Sequence, residues 1–187
     1  MLFRSKEEFQ TSQYAQVDET PIRYLEPGKG RCGKGYMWVG HVPGRSVIFE
    51  WHASRAAECL NSLVGENYRG KIQCDGYLAY ASFAKDKPGL KLFGCWAHSR
   101  RKFFEAQDEA PRQAGWILNQ MSWLYHWEAQ LRDSGASPTL RAAKRASHHR
   151  MVLERLRRAL ERLQPKHLPK SKMGEAIQYT KIGRAHV

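Results

Sequence analysis

Over the first hundred residues the apolar positions fall in short runs separated by turn residues, and beyond them long stretches recur at a helical period. Gln13–Val17 reads as a strand leading up to Asp18. Gly35–Val42 (GYMWVGHV) and Ser46–His52 (SVIFEWH) are rich in aromatic and branched residues, and Val42-Pro43-Gly44-Arg45 between them is turn chemistry, so they predict a hairpin. Arg55–Val64 places apolar residues at 56, 57, 60, 63 and 64, one face of a helix that Gly65 stops. Lys71–Cys74 predicts a strand, Tyr77–Ala84 a helix, Leu90–Gly94 a strand and Trp96–Ala106 a basic helix. That order describes an α/β fold, a mixed sheet with helices packed on it.

Beyond it, Trp116, Gln120, Trp123, Trp127 and Leu131 recur at three- and four-residue steps within Gln113–Leu131. After Pro138, Leu153, Leu156, Leu160 and Leu163 repeat in a 3-4-3 pattern. The two segments predict an antiparallel helical pair, with Arg155, Arg157, Arg158 and Arg162 on a solvent face open to phosphates or to water alone.

Charge sharpens the division. The 187 residues carry a net +13, but residues 1–94 hold 13 basic and 10 acidic side chains, and residues 95–187 hold 18 and 8. A basic half on an ordinary globular composition points to a polyanion, above all nucleic acid. No apolar run approaches the roughly 18–20 residues of a membrane span, and Met1–Gln10 lacks the apolar stretch of a signal peptide. Cys32, Cys59, Cys74 and Cys95 are widely spaced with no CxxC, the pattern of reduced thiols. The expectation is a cytoplasmic protein without a membrane.

Two aspartates stand out, Asp18 after the first strand and Asp75 after the fourth. If those strands are neighbours, both carboxylates emerge at one end of the sheet, where hard oxygen ligands suit Mg²⁺ or Mn²⁺. Turn-capping roles would explain the same residues. A second constellation is Trp96-Ala97-His98-Ser99-Arg100-Arg101-Lys102-Phe103, a strand end running into a helix with three consecutive cations. Arg100, Arg101, Lys102 and His98 are candidates for phosphate contacts there, or a basic surface helix with core aromatics. Arg55, opening its helix, is a further phosphate candidate or a cap. Cys95 and His98 have the spacing of half a zinc site with no second half nearby. His148-His149 reads as surface, and Gly28–Gly35 reads as a hairpin loop because it lacks phosphate-loop spacing.

Four ordered blocks carry a resemblance: Val17-Asp18-Glu19-Thr20-Pro21, Gly35-Tyr36-Met37-Trp38-Val39, Cys74-Asp75-Gly76-Tyr77-Leu78-Ala79-Tyr80, and Gly94-Cys95-Trp96-Ala97-His98-Ser99-Arg100-Arg101-Lys102-Phe103. Together with Leu124-Tyr125 and Glu128, and with Pro169-Lys170-Ser171 and Ala176–Tyr179, the chain resembles the bacterial insertion sequence 66 transposase family over roughly residues 14–180. The resemblance implies a ribonuclease-H-like core whose DDE triad cuts and joins DNA with two Mg²⁺ ions, Asp18 and Asp75 matching the first two carboxylates. It divides the chain into a catalytic core at 6–110 and a basic helical insertion at 111–180. It also implies transposon ends and target DNA as partners, a homo-oligomer, accessory proteins of the same element, and a nucleoid-associated enzyme.

The third carboxylate belongs to an Asp-Asn-Asn…Glu block expected downstream of Tyr179. None of Glu105, Glu109, Glu128, Glu154, Glu161 or Glu175 sits in such a context. The expectation is therefore a central fragment, inactive by itself. A DNA-binding remnant and a metal-dependent nuclease or resolvase of the same fold are the alternatives. The termini add one more expectation. Ile182–Val187 can be encoded by ATC GGA AGA GCA CAC GTC and Met1–Ser5 by GTG CTC TTC CGA TCT, and the second string is the reverse complement of the start of the first, read from the last two bases of codon 181. Both match a common sequencing-library adapter, so residues 1–5 and 182–187 are expected to be adapter-derived.

Overall fold

The first strand continues well past its aspartate. In the computed structural model, which describes residues 2–26, 28 and 30–182, β1 spans Tyr14–Leu25, so Asp18 lies within the strand and not at its end. The cause is β2 (Cys32–Val42), whose antiparallel ladder with β1 runs from Gln16↔His41 to Leu25↔Cys32. Pro21 is tolerated because β4 (Lys71–Cys74) pairs only with Tyr14–Gln16, leaving β1 with a strand on one side from there on. β3 (Ser46–His52) closes the predicted hairpin with β2, and β5 (Lys91–Gly94) runs parallel to β4. The sheet order is β3-β2-β1-β4-β5, antiparallel on the hairpin side and parallel on the other.

Three helices belong to this sheet: α1 (Leu2–Gln10), α2 (Glu58–Val64) and α3 (Leu78–Ala84). Residues 2–5 open α1, whereas residues 1 and 183–187 of the expected adapter segments lie outside the described residues. Every second residue of β1, Ala15 and Val17, is buried with Trp38, Ile48, Ile72, Tyr80 and the Leu60–Leu63 face of α2. Burying each such large side chain contributes about 1.5–3 kcal/mol. Gly40 is required where the Phe9 ring packs on β2, since a Cβ there would meet the ring at 2.6 Å. α2 starts three residues later than its apolar pattern predicts. Ser54 Oγ accepts the Ala56 N–H at 3.1 Å, and Arg55 is drawn toward carboxylates, so the first turn is not helical.

The chain divides into two compact units between Cys95 and Trp96, the second reaching Lys181. The cationic helix α4 (Trp96–Glu105) therefore groups with the helical part. That part contains α5 (Pro111–Asp133), α6 (Pro138–Lys144), α7 (Arg150–Leu163) and α8 (Lys172–Ile182). Pro111 occupies the first turn of α5, where its missing N–H costs nothing, and Ser137 caps α6 by accepting the Leu140 N–H. A π-helical segment, Arg145–His149, joins α6 to α7.

The core of this unit is Ala114, Ile117 and Met121 against Val152, Leu156 and Leu160, completed by Phe103, Met173 and Ile177. The tryptophan stripe predicted from spacing is rotated outward, with Trp116 42% and Trp123 49% exposed. The side that packs is the narrower one containing Ala114, which leaves room for the Leu156 and Leu160 face.

His149, expected at the surface, is buried. Its ring stacks on Trp127 at 5.9 Å, and Nδ1 lies 3.6 Å from Glu128, a carboxylate gripped by Arg145 at 2.6 and 2.8 Å. Burial pushes the imidazole below its ordinary value, with Glu128 opposing and Arg145 and His148 assisting. The unfolded chain therefore takes up a proton as pH falls through about 6.5 while the folded one resists it. Stability is expected to drop on acidification below that pH, and His149→Phe is expected to flatten this part of the slope in urea titrations at several pH values.

Candidate functional site

β1 and β4 are parallel neighbours, and their register (Tyr14↔Lys71, Ala15↔Ile72, Gln16↔Gln73) carried onward brings Asp18 level with Asp75. Asp18 is exposed, on the face of β1 opposite Val17, and its Oδ1 accepts the Glu19 N–H at 3.0 Å. Asp75 follows the last residue of β4. Its Oδ1 accepts the Tyr77 N–H at 2.8 Å, which with Gly76 at φ +76° turns the chain into α3. Its Oδ2 lies 3.3 Å from Arg55 Nη2. The backbones of the two expected aspartates thus reach one level where β4 ends, part-way along β1.

A third carboxylate accompanies them that the sequence pattern did not single out. Glu19 takes the next inward step of the Ala15–Val17 alternation and has a fully buried side chain. Arg55 Nε donates to Oε1 at 2.5 Å, and the Tyr80 hydroxyl donates to Oε2 at 2.5 Å. Trp38 is the cross-strand partner of Glu19, and its ring meets Tyr80 edge-on at 6.1 Å. The Arg55 guanidinium also lies 3.7 Å from the centre of the Tyr77 ring. Burial raises the Glu19 carboxyl above the usual range, while the hydrogen bonds from Tyr80 and Arg55 pull the other way. The Tyr80 phenol is held far above its ordinary value by burial and by the charge of Glu19. The Cys74 thiol beside the site is pushed up to about 12 by burial, which leaves it protonated and unreactive.

These contacts separate two kinds of carboxylate. Both oxygens of Glu19 are occupied and hidden, so it anchors Arg55. Asp18 and Asp75 remain at least partly open to solvent and offer the hard oxygen donors that Mg²⁺ or Mn²⁺ prefers. Among the described residues no group of three or more His, Cys, Asp or Glu is clustered so as to hold a metal ion. The donor set fits a divalent cation in kind, as two ligands of a larger set. Arg55 spends its guanidinium on Glu19 and Asp75, with about a third of the side chain (32%) still exposed to meet a phosphate.

The other candidates lie on α4, in the second unit. Arg100 and Arg101 are exposed, and His98 is half-buried. Lys102 Nζ sits 5.4 Å from the centre of the Tyr179 ring.

Comparison with known sequences identifies the family. A model of the family described as Transposase IS66 family matches residues 2–186. The chain is 32% identical over 179 residues to the uncharacterized protein y4qI of Sinorhizobium fredii, covering 87% of this chain and 32% of that protein. It is 28% identical over 177 residues to a second uncharacterized protein of the same organism, y4jD, covering 87% of this chain and 34% of that one. The chain therefore spans about a third of the length of these curated relatives.

Proposed function

The chain belongs to the IS66 transposase family, and we propose that it supplies part of a ribonuclease-H-like catalytic domain that cuts and joins DNA. The observation that carries this reading is the parallel pairing of β1 with β4 in a β3-β2-β1-β4-β5 sheet, whose register, carried two residues past Gln16↔Gln73, puts Asp18 opposite Asp75 just beyond β4. Asp18 and Asp75 would hold Mg²⁺ or Mn²⁺, which when bound activates an oxygen nucleophile and stabilises the leaving oxygen of a phosphodiester. We place the third carboxylate outside residues 1–187, in an Asp-Asn-Asn…Glu block of the continuing reading frame.

The chain's own residues have distinct tasks in this scheme. Arg55, fixed by Glu19 and Tyr77, positions Asp75 through its second nitrogen. Arg100, Arg101, Lys102 and His98 bind phosphates and set the register of the duplex without reading its sequence. Water first displaces the 3′ oxygen of a transposon-end phosphodiester, and the freed 3′-hydroxyl then attacks a phosphodiester of the target. We further propose a homo-oligomer, accessory proteins of the same element, and a bacterial cytoplasmic location at the nucleoid. No helix of the described residues is long and apolar enough to cross a membrane.

A non-catalytic DNA binder is the second reading, favoured by the fact that no group of three or more His, Cys, Asp or Glu is clustered to hold a metal ion among the described residues. One experiment separates the two. The reading frame is extended past codon 180, and the extended protein is incubated with a duplex carrying a transposon end, with and without Mg²⁺. Nicking and strand joining that require the cation are expected. Nicking without joining would indicate a nuclease, and salt-sensitive binding with neither would leave a DNA-binding remnant.

A further inference from the structure

A second candidate site lies within the helical unit, and Asp18, Asp75, Glu19 and Arg55 are not among the residues that line it. The start of α5 and the end of α7 border an open groove of about 590 Å³. Five cations line it, Arg112, Arg155, Arg158, Arg162 and Lys166, together with the half-exposed ring of Trp116, and no acidic residue does. The arrangement is not an accident of overall charge. On α7 the two glutamates, Glu154 and Glu161, are both taken by Arg157, with Arg158 sharing Glu154. Arg112, Arg155, Arg162 and Lys166 have no ion-pair partner among the described residues. Like charges at three- and four-residue steps repel one another and destabilise a helix. That repulsion is eased at Arg158 by Glu154 and would be offset further by an anionic occupant.

We propose that this groove binds a single-stranded segment of nucleic acid, its phosphates on the arginines and one base stacked on Trp116. A duplex keeps its bases stacked on each other and offers no face to an indole, whereas an unpaired strand offers one at every nucleotide. The guanidinium groups flanking the ring follow the backbone, and their binding is sequence-tolerant and salt-dependent. The proposal rests on the reading of the chain as a DNA-handling protein, and it assigns the unpaired strand to a place distinct from α4.

The test uses the whole chain and a fluorescein-labelled oligothymidylate, with a duplex of the same length alongside. Trp116→Ala is expected to weaken single-strand binding about tenfold, the scale of one lost stacked base, and to leave duplex binding unchanged. Trp116→Phe is expected to recover most of the loss. Arg155→Glu with Arg162→Glu is expected to lower affinity and reduce the dependence on salt concentration. Circular dichroism and thermal melts of each variant establish that it folds, and the outward position of all three side chains makes unaltered melts the expected result. Equal losses on single strand and duplex for Trp116→Ala would overturn the proposal, as would no loss, or no single-strand binding at low salt. Single-strand binding that depends on Trp116, in an extended protein that neither nicks nor joins, would leave the groove standing and remove the transposase chemistry.

Discussion

Replacing Asp75 by asparagine is expected to lower cation-dependent nicking by the extended protein about a thousandfold while leaving the fold intact. The size follows from what a metal-binding carboxylate supplies, several kcal/mol of transition-state stabilisation, at 1.36 kcal/mol per tenfold in rate. The fold should survive because asparagine keeps the Oδ1 acceptor that holds the Tyr77 N–H at 2.8 Å, so the turn into α3 is preserved. Arg55 also retains its bond to Glu19. Asp18→Asn should behave alike, since its Oδ1 likewise accepts a neighbouring backbone N–H. Nicking rates, Mn²⁺ titration of the chain and thermal melts check the three parts separately. Melting midpoints near that of the wild type with weakened Mn²⁺ binding and lost nicking are expected. Nicking that persists in Asp75→Asn would remove Asp75 from the reaction.

What could be read from the sequence was whatever depends on neighbours along the chain. Ser46–His52 is rich in aromatic and branched residues and follows a Pro-Gly turn, and β3 spans those residues. The two strands that lead to Asp18 and Asp75 could be recognised from their own residues, and β1 and β4 do pair in parallel. The extent of β1 could not be read, because Thr20-Pro21 resembles a terminator until a partner strand is known to continue beside it. Periodicity placed Trp116, Trp123 and Trp127 on one side of α5 but could not weigh ring size against the close approach that Ala114 permits. Glu19 was hidden for a different reason. Its partners Arg55 and Tyr80 lie 36 and 61 residues away, and a buried carboxylate is defined by such partners, not by its own surroundings in the chain.

Arg55→Met is the second large effect, and it falls on stability. Glu19 has no exposed side-chain surface, so removing Arg55 leaves an ionised carboxylate with only the Tyr80 hydroxyl and with Asp75 repelling it. Breaking a buried pair from one side costs about 3–5 kcal/mol. Since Arg55 is about one-third exposed, water can replace part of what it gave, and the lower end, about 3 kcal/mol, is expected. That corresponds to a fall in Tm of about 10 °C or more for a unit of this size. Arg55→Lys should recover only part of the loss, because a single ammonium cannot reproduce the fork that reaches Glu19 and Asp75 together. The decisive variant is Arg55→Met combined with Glu19→Gln. With no charge left to bury, the pair should regain much of the stability, so that urea unfolding shows a double-mutant coupling well beyond 0.5 kcal/mol. Additive losses would mean that Glu19 and Arg55 do not depend on each other. If the coupling is found, the double variant also isolates the other task of Arg55, since a chain that is stable again but binds Mn²⁺ differently at Asp75 has lost positioning alone.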